Sequence, residues 1–113
     1  NINGFIFSNL VKDRNNKVFD RTEIERFKNL KGNFSGKPTA ENSIKLVRHT
    51  RERFDKKIVI ISCGGIFNAS DAIERFNAGA DLIQLITGMI YEGPQVIEGI
   101  NRGLFFNSKQ HIT

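Results

Sequence analysis

Two apolar runs govern what this chain can become. Residues 58–65 read IVIISCGG and residues 82–88 read LIQLITG. The first runs into Gly64-Gly65 and the second into Thr87-Gly88, with a helical pattern between them. The unbroken series Ile58, Val59, Ile60, Ile61 predicts a strand covered on both faces, as in parallel sheets. Two consecutive strand–helix units whose strands end in small or hydroxyl residues make a place for a phosphate. Backbone N–H groups are unobstructed there, and a following helix N-terminus adds partial positive charge.

The remaining segments arrange themselves around these two. Gly4-Phe5-Ile6-Phe7 predicts a short buried strand that opens at Ser8-Asn9. Residues 10–38 are polar and basic, with turn signals at Asn15-Asn16 and Gly32-Asn33. Ile24, Phe27 and Leu30 recur at helical spacing within that stretch and predict a short helix. A connection of this length commonly serves as a lid or binding loop. Pro38 opens a further helix with Thr39 as its N-cap, and Ile44, Val47 and Phe54 form its inner face with Leu46 alongside. Between the two apolar runs, Asn68 or Ser70 caps a helix that turns Ala72, Ile73, Phe76 and Ala80 inward and stops at Gly79. The strand at 82–86 is apolar apart from Gln84. Gly93-Pro94 then opens a last helix with Val96, Ile97, Ile100 and Leu104 packed inward. The polar tail after Phe106 is predicted to fray.

This alternation predicts parallel strands joined by crossovers. Three strands leave a sheet with two open edges, and the chain opens on Asn1 rather than Met. Both features predict a piece of a longer polypeptide. The expected fold is α/β: the C-terminal three βα units of a (β/α)8 TIM barrel with parallel strands, residues 1–113 forming the C-terminal part of that domain. Phosphates in such barrels often sit on the loops after strands seven and eight. A doubly wound open sheet is the alternative.

Length and charge set the outer limits. A chain of 113 residues forms at most one domain. With Lys+Arg 17 against Asp+Glu 12, the net charge of +5 permits nucleic acid, anionic lipid or phosphorylated ligands. The basic residues are scattered over 12–57 and almost absent from the strand–glycine segments, which predicts a solvated face. The phenylalanines do not interleave with arginines as a nucleic-acid stacking platform would, so no nucleic-acid partner is expected. One cysteine excludes an internal disulfide. No apolar run approaches the ~20 residues needed to span a bilayer, and no metal-ligand spacing occurs.

The candidate site residues follow from chemistry at the strand ends. Gly64 and Gly65 permit close approach of an anion and positive φ, although a turn needed only for geometry would use glycine too. Thr87 can donate through hydroxyl and backbone. Ser8 and Asn9 lie at the end of the first strand, the rim where a barrel places reactive groups. An amide there can hold a planar carbonyl-and-NH ligand or cap its own loop. The segment Asn33-Phe34-Ser35-Gly36-Lys37-Pro38 lacks the spacing of a phosphate loop, yet Gly36 permits close approach of a ligand. Cys63 reads as a buried, inert thiol, and His49 and His111 as surface residues.

Four motifs together carry a resemblance. In order, GFIFSN (4–9), NFSGKP (33–38), IISCGGI (60–66) with NASDAIERFNAGA (68–80), and LIQLITGMIYEGP (82–94) resemble the C-terminal part of dihydroorotate dehydrogenase, in particular its quinone-using class 2. The resemblance covers nearly the whole chain apart from 15–31 and the last few residues. It implies a (β/α)8 barrel that carries FMN at its C-terminal rim and oxidises dihydroorotate to orotate in pyrimidine (UMP) synthesis, with a quinone as electron acceptor. Carried over by position, Ser8, Gly36, Gly64 and Gly65 belong to the FMN shell, Ile86 and Thr87 match the pair that binds the flavin phosphate, and Asn9 and Leu10 match the pair that holds orotate.

Three departures matter. Leu10 replaces a hydroxyl residue, Ser8 replaces Thr, and Ile86 replaces an aromatic. The resemblance further implies that the catalytic serine base, a flavin-contacting lysine and a membrane-meeting helical region lie upstream of Asn1. No catalytic residue is then expected in this segment, which would be inactive alone, and Ser62 is not that base. The implied location is peripheral, on the cytoplasmic side of the cell membrane or on the mitochondrial inner membrane in a eukaryote. Two other readings compete: an FMN barrel acting on RNA, and a non-catalytic phosphate-binding piece.

Overall fold

In the computed structural model, which describes residues 2–8 and 10–112, three strands form one parallel sheet in the order β1-β2-β3. They are β1 (Gly4–Phe7), β2 (Val59–Cys63) and β3 (Leu82–Gln84). The helices are α1 (Arg21–Arg26), α2 (Ala40–Phe54), α3 (Ala69–Ala78), α4 (Thr87–Glu92) and α5 (Gln95–Ile112). The sheet runs in register Ile6↔Ile61↔Leu82 and Phe7↔Ser62↔Ile83. Strand and helix thus alternate as expected, and the chain forms three successive βα units of a (β/α)8 barrel.

Side-chain alternation decides which residues meet the helices. On one face, Ile60 is fully buried against Val47 of α2 and Ala78 and Ala80 at the end of α3, with Phe7, Ile44 and Ile58 around them. A second cluster joins Ile66, Ala72, Val96 and Ile100, flanked by Phe76, Ile83, Leu85 and Leu104, and docks α5 onto α3. The opposite face is uncovered: Ile6, Val59 and Leu82 are 60%, 46% and 56% exposed. The expectation that β2 is covered on both faces is therefore corrected. In a (β/α)8 barrel that second face is the interior, where side chains from all the strands fill the space.

The helix ends obey their sequence signals in part. Asn68 caps α3 by accepting from the Asp71 N–H at 2.9 Å, and Gly79 ends it in the left-handed region. Thr39 stands at the N-cap of α2 but does not cap it. A 3₁₀ turn, Lys37–Thr39, precedes the helix and leaves Thr39 at helical angles, so its hydroxyl donates back to the Gly36 carbonyl at 2.7 Å. Phe54 and Ile97 were expected inside and are 41% and 46% exposed. The helix expected to fray after Phe106 continues to Ile112.

At the N-terminal end of β2, Arg51 ties three segments together. Its Nε donates to the Gly79 carbonyl at 2.9 Å, its Nη1 to the Ile58 carbonyl at 3.1 Å, and its Nη2 to Asp81 Oδ2 at 2.5 Å. Asp81 Oδ2 in turn accepts from the Ile60 N–H at 2.8 Å. The long connection after β1 is knitted just as specifically. Val11 bridges Phe34, Phe19 and Phe27 pack on Phe34, and Arg14 donates to the Phe27 and Leu30 carbonyls at 2.6 and 2.5 Å. The short helix predicted there is α1, capped by Asp20; it ends before Phe27 and Leu30.

Candidate functional site

The ends of β2 and β3 come together at one corner. Parallel pairing stops at Cys63↔Gln84 because β2 turns away at Gly64 (φ +94°) and Gly65 (φ +73°). Deprived of a partner, Leu85 and Ile86 leave the sheet and the chain enters α4 at Thr87. The strand expected over 82–86 is therefore two residues shorter. Gly88 is buried against the Ile66 carbonyl, so closely that a Cβ there would collide with it. Cys63, Gly64, Gly65, Leu85, Ile86 and Thr87 consequently surround one gap of about 10 Å³. The two glycine-bearing turns face each other, as the sequence predicts, but the space between them holds no more than a water-sized group.

Larger spaces open on either side. One cavity of about 680 Å³ is lined by Ser35, Gly36, Lys37, Phe67, Thr87 and Tyr91, among others. A neighbouring cavity of about 500 Å³ is lined by Lys37, Ala40, Gly65, Phe67, Asp71 and Glu92, among others. Gly36 and Thr87 thus share a wall, where Ser35 Oγ and Thr87 Oγ1 stand 3.0 Å apart. Gly65 opens onto the adjoining space, with Lys37 and Phe67 between, the Lys37 ammonium 5.7 Å from the Phe67 ring centre.

The donors at this corner suit an anion. Ile86 has no side-chain acceptor to cap α4, so the N–H groups of Thr87, Gly88 and Met89 have no partner among the described residues. The Gly65 N–H has none either. Together with the Ser35 and Thr87 hydroxyls these form a set of neutral donors that suits an anion, with Glu92 on the wall of both cavities and Asp71 on that of the one beside Gly65. The residues present therefore fit the phosphate end of a flavin mononucleotide.

The other predicted residues are distributed unevenly. Ser8 lies beside the corner: its N–H donates to the Cys63 carbonyl at 3.1 Å, and its own carbonyl packs against Gly64. Ile86 is at the corner and 59% exposed. Leu10 is elsewhere, 45% exposed on a separate cavity of about 400 Å³ with Lys12, Pro38 and Lys45. Asn9 lies outside the described residues, as does the side chain of His111. Cys63 is buried, and burial pushes its thiol pKa up.

A buried polar chain beneath the glycine turn escaped the sequence reading. Arg75 of α3 is 1% exposed. Its Nη1 donates to Ser62 Oγ at 3.2 Å and its Nη2 to the Gly64 carbonyl at 3.0 Å, while its Nε has no partner. Ser62 Oγ meets Ser43 Oγ at 3.2 Å, and Ser43 donates to the Cys63 carbonyl at 2.8 Å. Because a guanidinium only donates and the single Ser43 hydroxyl proton goes to the Cys63 carbonyl, the order of protons runs Arg75 to Ser62 to Ser43 to the Cys63 carbonyl. Burial lowers the pKa of Arg75, opposed by Glu74 and Asp71. The signal available in the sequence was spacing: Arg75 stands three residues after Ala72 and four before Gly79, inside the apolar stripe of α3.

Comparison with known proteins gives one consistent answer. A family model described as dihydroorotate dehydrogenase matches residues 1–106. The chain is 49% identical over 75 residues to dihydroorotate dehydrogenase (quinone) of Christiangramia forsetii, covering 66% of this chain and 22% of that protein. It is 40% identical over 85 residues to the protein of the same name from Dichelobacter nodosus, covering 74% and 25%. Among solved structures, the ligand-free type DHODH from Eimeria tenella superposes with a TM-score of 0.81 at 29% identity over 96% of this chain and 29% of that one. The chain spans about a quarter of the length of these relatives.

Proposed function

The chain belongs to the dihydroorotate dehydrogenase family, and from that premise we propose that it forms the flavin-phosphate side of an FMN-dependent barrel that oxidises dihydroorotate to orotate. The electron acceptor is a quinone, and the enzyme works peripherally at a membrane, which a region preceding this segment contacts. The observation that carries the assignment is the meeting of Ser35-Gly36 with Thr87 beside the Gly64-Gly65 turn, where the Ser35 and Thr87 hydroxyls pair with each other and the neighbouring N–H groups have no partner among the described residues.

In this reading Gly65, Ile86 and Thr87 hold the FMN phosphate, Ser8, Gly36 and Gly64 belong to the rest of the cofactor shell, and Asn9 and Leu10 stand at the positions assigned to the pyrimidine substrate, Leu10 on a cavity separate from the phosphate corner. FMN, when bound, supplies the redox chemistry. The residues of this chain supply binding and orientation: neutral donors take the phosphate dianion, and a rigid sheet edge fixes where it sits. Leu10 offers no hydrogen bond, which removes roughly 0.5–1.5 kcal/mol of substrate affinity relative to a hydroxyl. The proton-abstracting base comes from outside this segment.

The test is anaerobic titration of the purified full-length protein with dihydroorotate. Stoichiometric FMN that loses its visible absorbance and regains it on adding a quinone is the expected result. Thr87→Val removes the hydroxyl while keeping the shape, and weakens FMN by about tenfold. A full-length protein that binds no flavin, or whose flavin is untouched by dihydroorotate, refutes the assignment.

A further inference from the structure

We propose that Arg75 is a positioning residue for the flavin phosphate, acting from beneath through the Gly64–Gly65 peptide. This rests on the phosphate reading given above. The Gly64 carbonyl and the Gly65 N–H belong to a single peptide unit. That unit is trans, as are the other described peptides, so its N–H points opposite to its C=O. Arg75 Nη2 draws the Gly64 carbonyl down toward the core at 3.0 Å. The Gly65 N–H is thereby turned away from the core, where it has no partner among the described residues.

The same contact polarises the peptide. A donor that carries full positive charge on the carbonyl side strengthens the N–H on the other side as a donor, and a low-dielectric surrounding enlarges the effect. Arg75 is almost entirely buried and makes no ion pair among the described residues. A charge placed so deep without a carboxylate in contact costs folding free energy, offset here in part by its hydrogen bonds to Ser62 and Gly64. Its fork is also fixed laterally, since Nη1 holds Ser62 Oγ, which the Ser43 hydroxyl holds in turn. A flexible glycine pair, able to rotate its peptide planes at little cost, is locked in one orientation.

The experiment measures equilibrium binding of FMN and of riboflavin, which lacks the phosphate, to full-length apoprotein by flavin fluorescence. The wild type is expected to prefer FMN. Arg75→Met keeps the length of the side chain and removes the charge and both donors. It should lower the FMN-to-riboflavin preference by about tenfold or more, the scale of one hydrogen bond to a charged group, with riboflavin affinity little changed. Arg75→Lys retains charge but not the fork and should fall between the two. It decides the matter if the Met variant does not fold, a preference at least about threefold below wild type being the supporting result. Equal losses for FMN and riboflavin, or an unchanged preference in the folded variants, overturn the proposal. A wild type without preference for FMN overturns the phosphate reading itself.

Discussion

Replacing Gly65 by alanine tests whether the corner is as tightly built as its geometry implies. Gly65 sits at φ +73°, and a Cβ placed there would lie 2.6 Å from Ala40 Cβ and 2.9 Å from Ala40 Cα. Carbon atoms in comfortable contact stand near 3.5–4.0 Å, so roughly an ångström must be found. The obstacle is the first residue of α2, whose backbone cannot swing aside like a side-chain tip. The left-handed conformation costs alanine about 1–2 kcal/mol, and overpacking of a formed interior adds about 1–3 kcal/mol. Gly65→Ala should therefore destabilise the full-length protein by about 2–5 kcal/mol, read as a lowered urea midpoint at unchanged slope. Gly32→Ala is the control: its φ is +113° but nothing lies within 4 Å, so only the conformational part, about 1–2 kcal/mol, is expected. If the two variants lose the same stability, the contact between the Gly65 turn and α2 is not what the geometry describes.

Two further outcomes are expected. Ser43→Ala removes a fully buried hydroxyl and leaves the Ser62 hydroxyl without the acceptor it uses, so a loss of about 1–3 kcal/mol in the same unfolding assay is predicted; a change below a few tenths would show that the buried chain contributes nothing to stability. Burial raises the Cys63 thiol pKa above its unfolded value, so the folded protein holds that proton more tightly. The contribution is fully present below the unfolded thiol pKa and disappears as pH rises through the folded one. Stability should therefore fall with rising pH in the alkaline range, and Cys63→Ala should remove that part of the slope; an identical pH dependence in the variant contradicts it.

The sequence marked the strands well where pairing and pattern agree. β1 occupies the residues its apolar run predicts, and β2 differs only in starting at Val59. β3 was overestimated because Leu85 and Ile86 prolong an apolar run, whereas its length is set by a neighbour that bends away at Gly64. α4 was invisible for the same reason: its first residues read as the end of a strand. Thr39 has the composition of a cap, but a preceding 3₁₀ turn leaves its hydroxyl facing backward. The unbroken apolar runs marked the strands holding Ile6, Val59 and Leu82 as buried without saying whether helices or other strands would cover each face. Arg75 was missed because a charge inside an apolar stripe is read as surface unless a partner is known, and its partners are a serine hydroxyl and a backbone carbonyl.

The glycines that first suggested a ligand turn out to be required without one. A side chain on Gly64 would strike Ser8 and Thr39, one on Gly65 would strike Ala40, and one on Gly88 would strike Ile66. Packing alone demands glycine at all three positions, so their presence cannot separate a binding turn from a structural corner. What separates them is the set of polar groups at the corner that the packing of the core does not use. The Ser35 and Thr87 hydroxyls meet each other at an exposed wall, the first N–H groups of α4 have no cap, and the Gly65 N–H is held facing away from a buried cation. A corner built only to turn the chain has no reason to leave N–H groups of two neighbouring loops without acceptors. Variants at Thr87 and Arg75 therefore speak to function, whereas variants at the glycines speak first to stability.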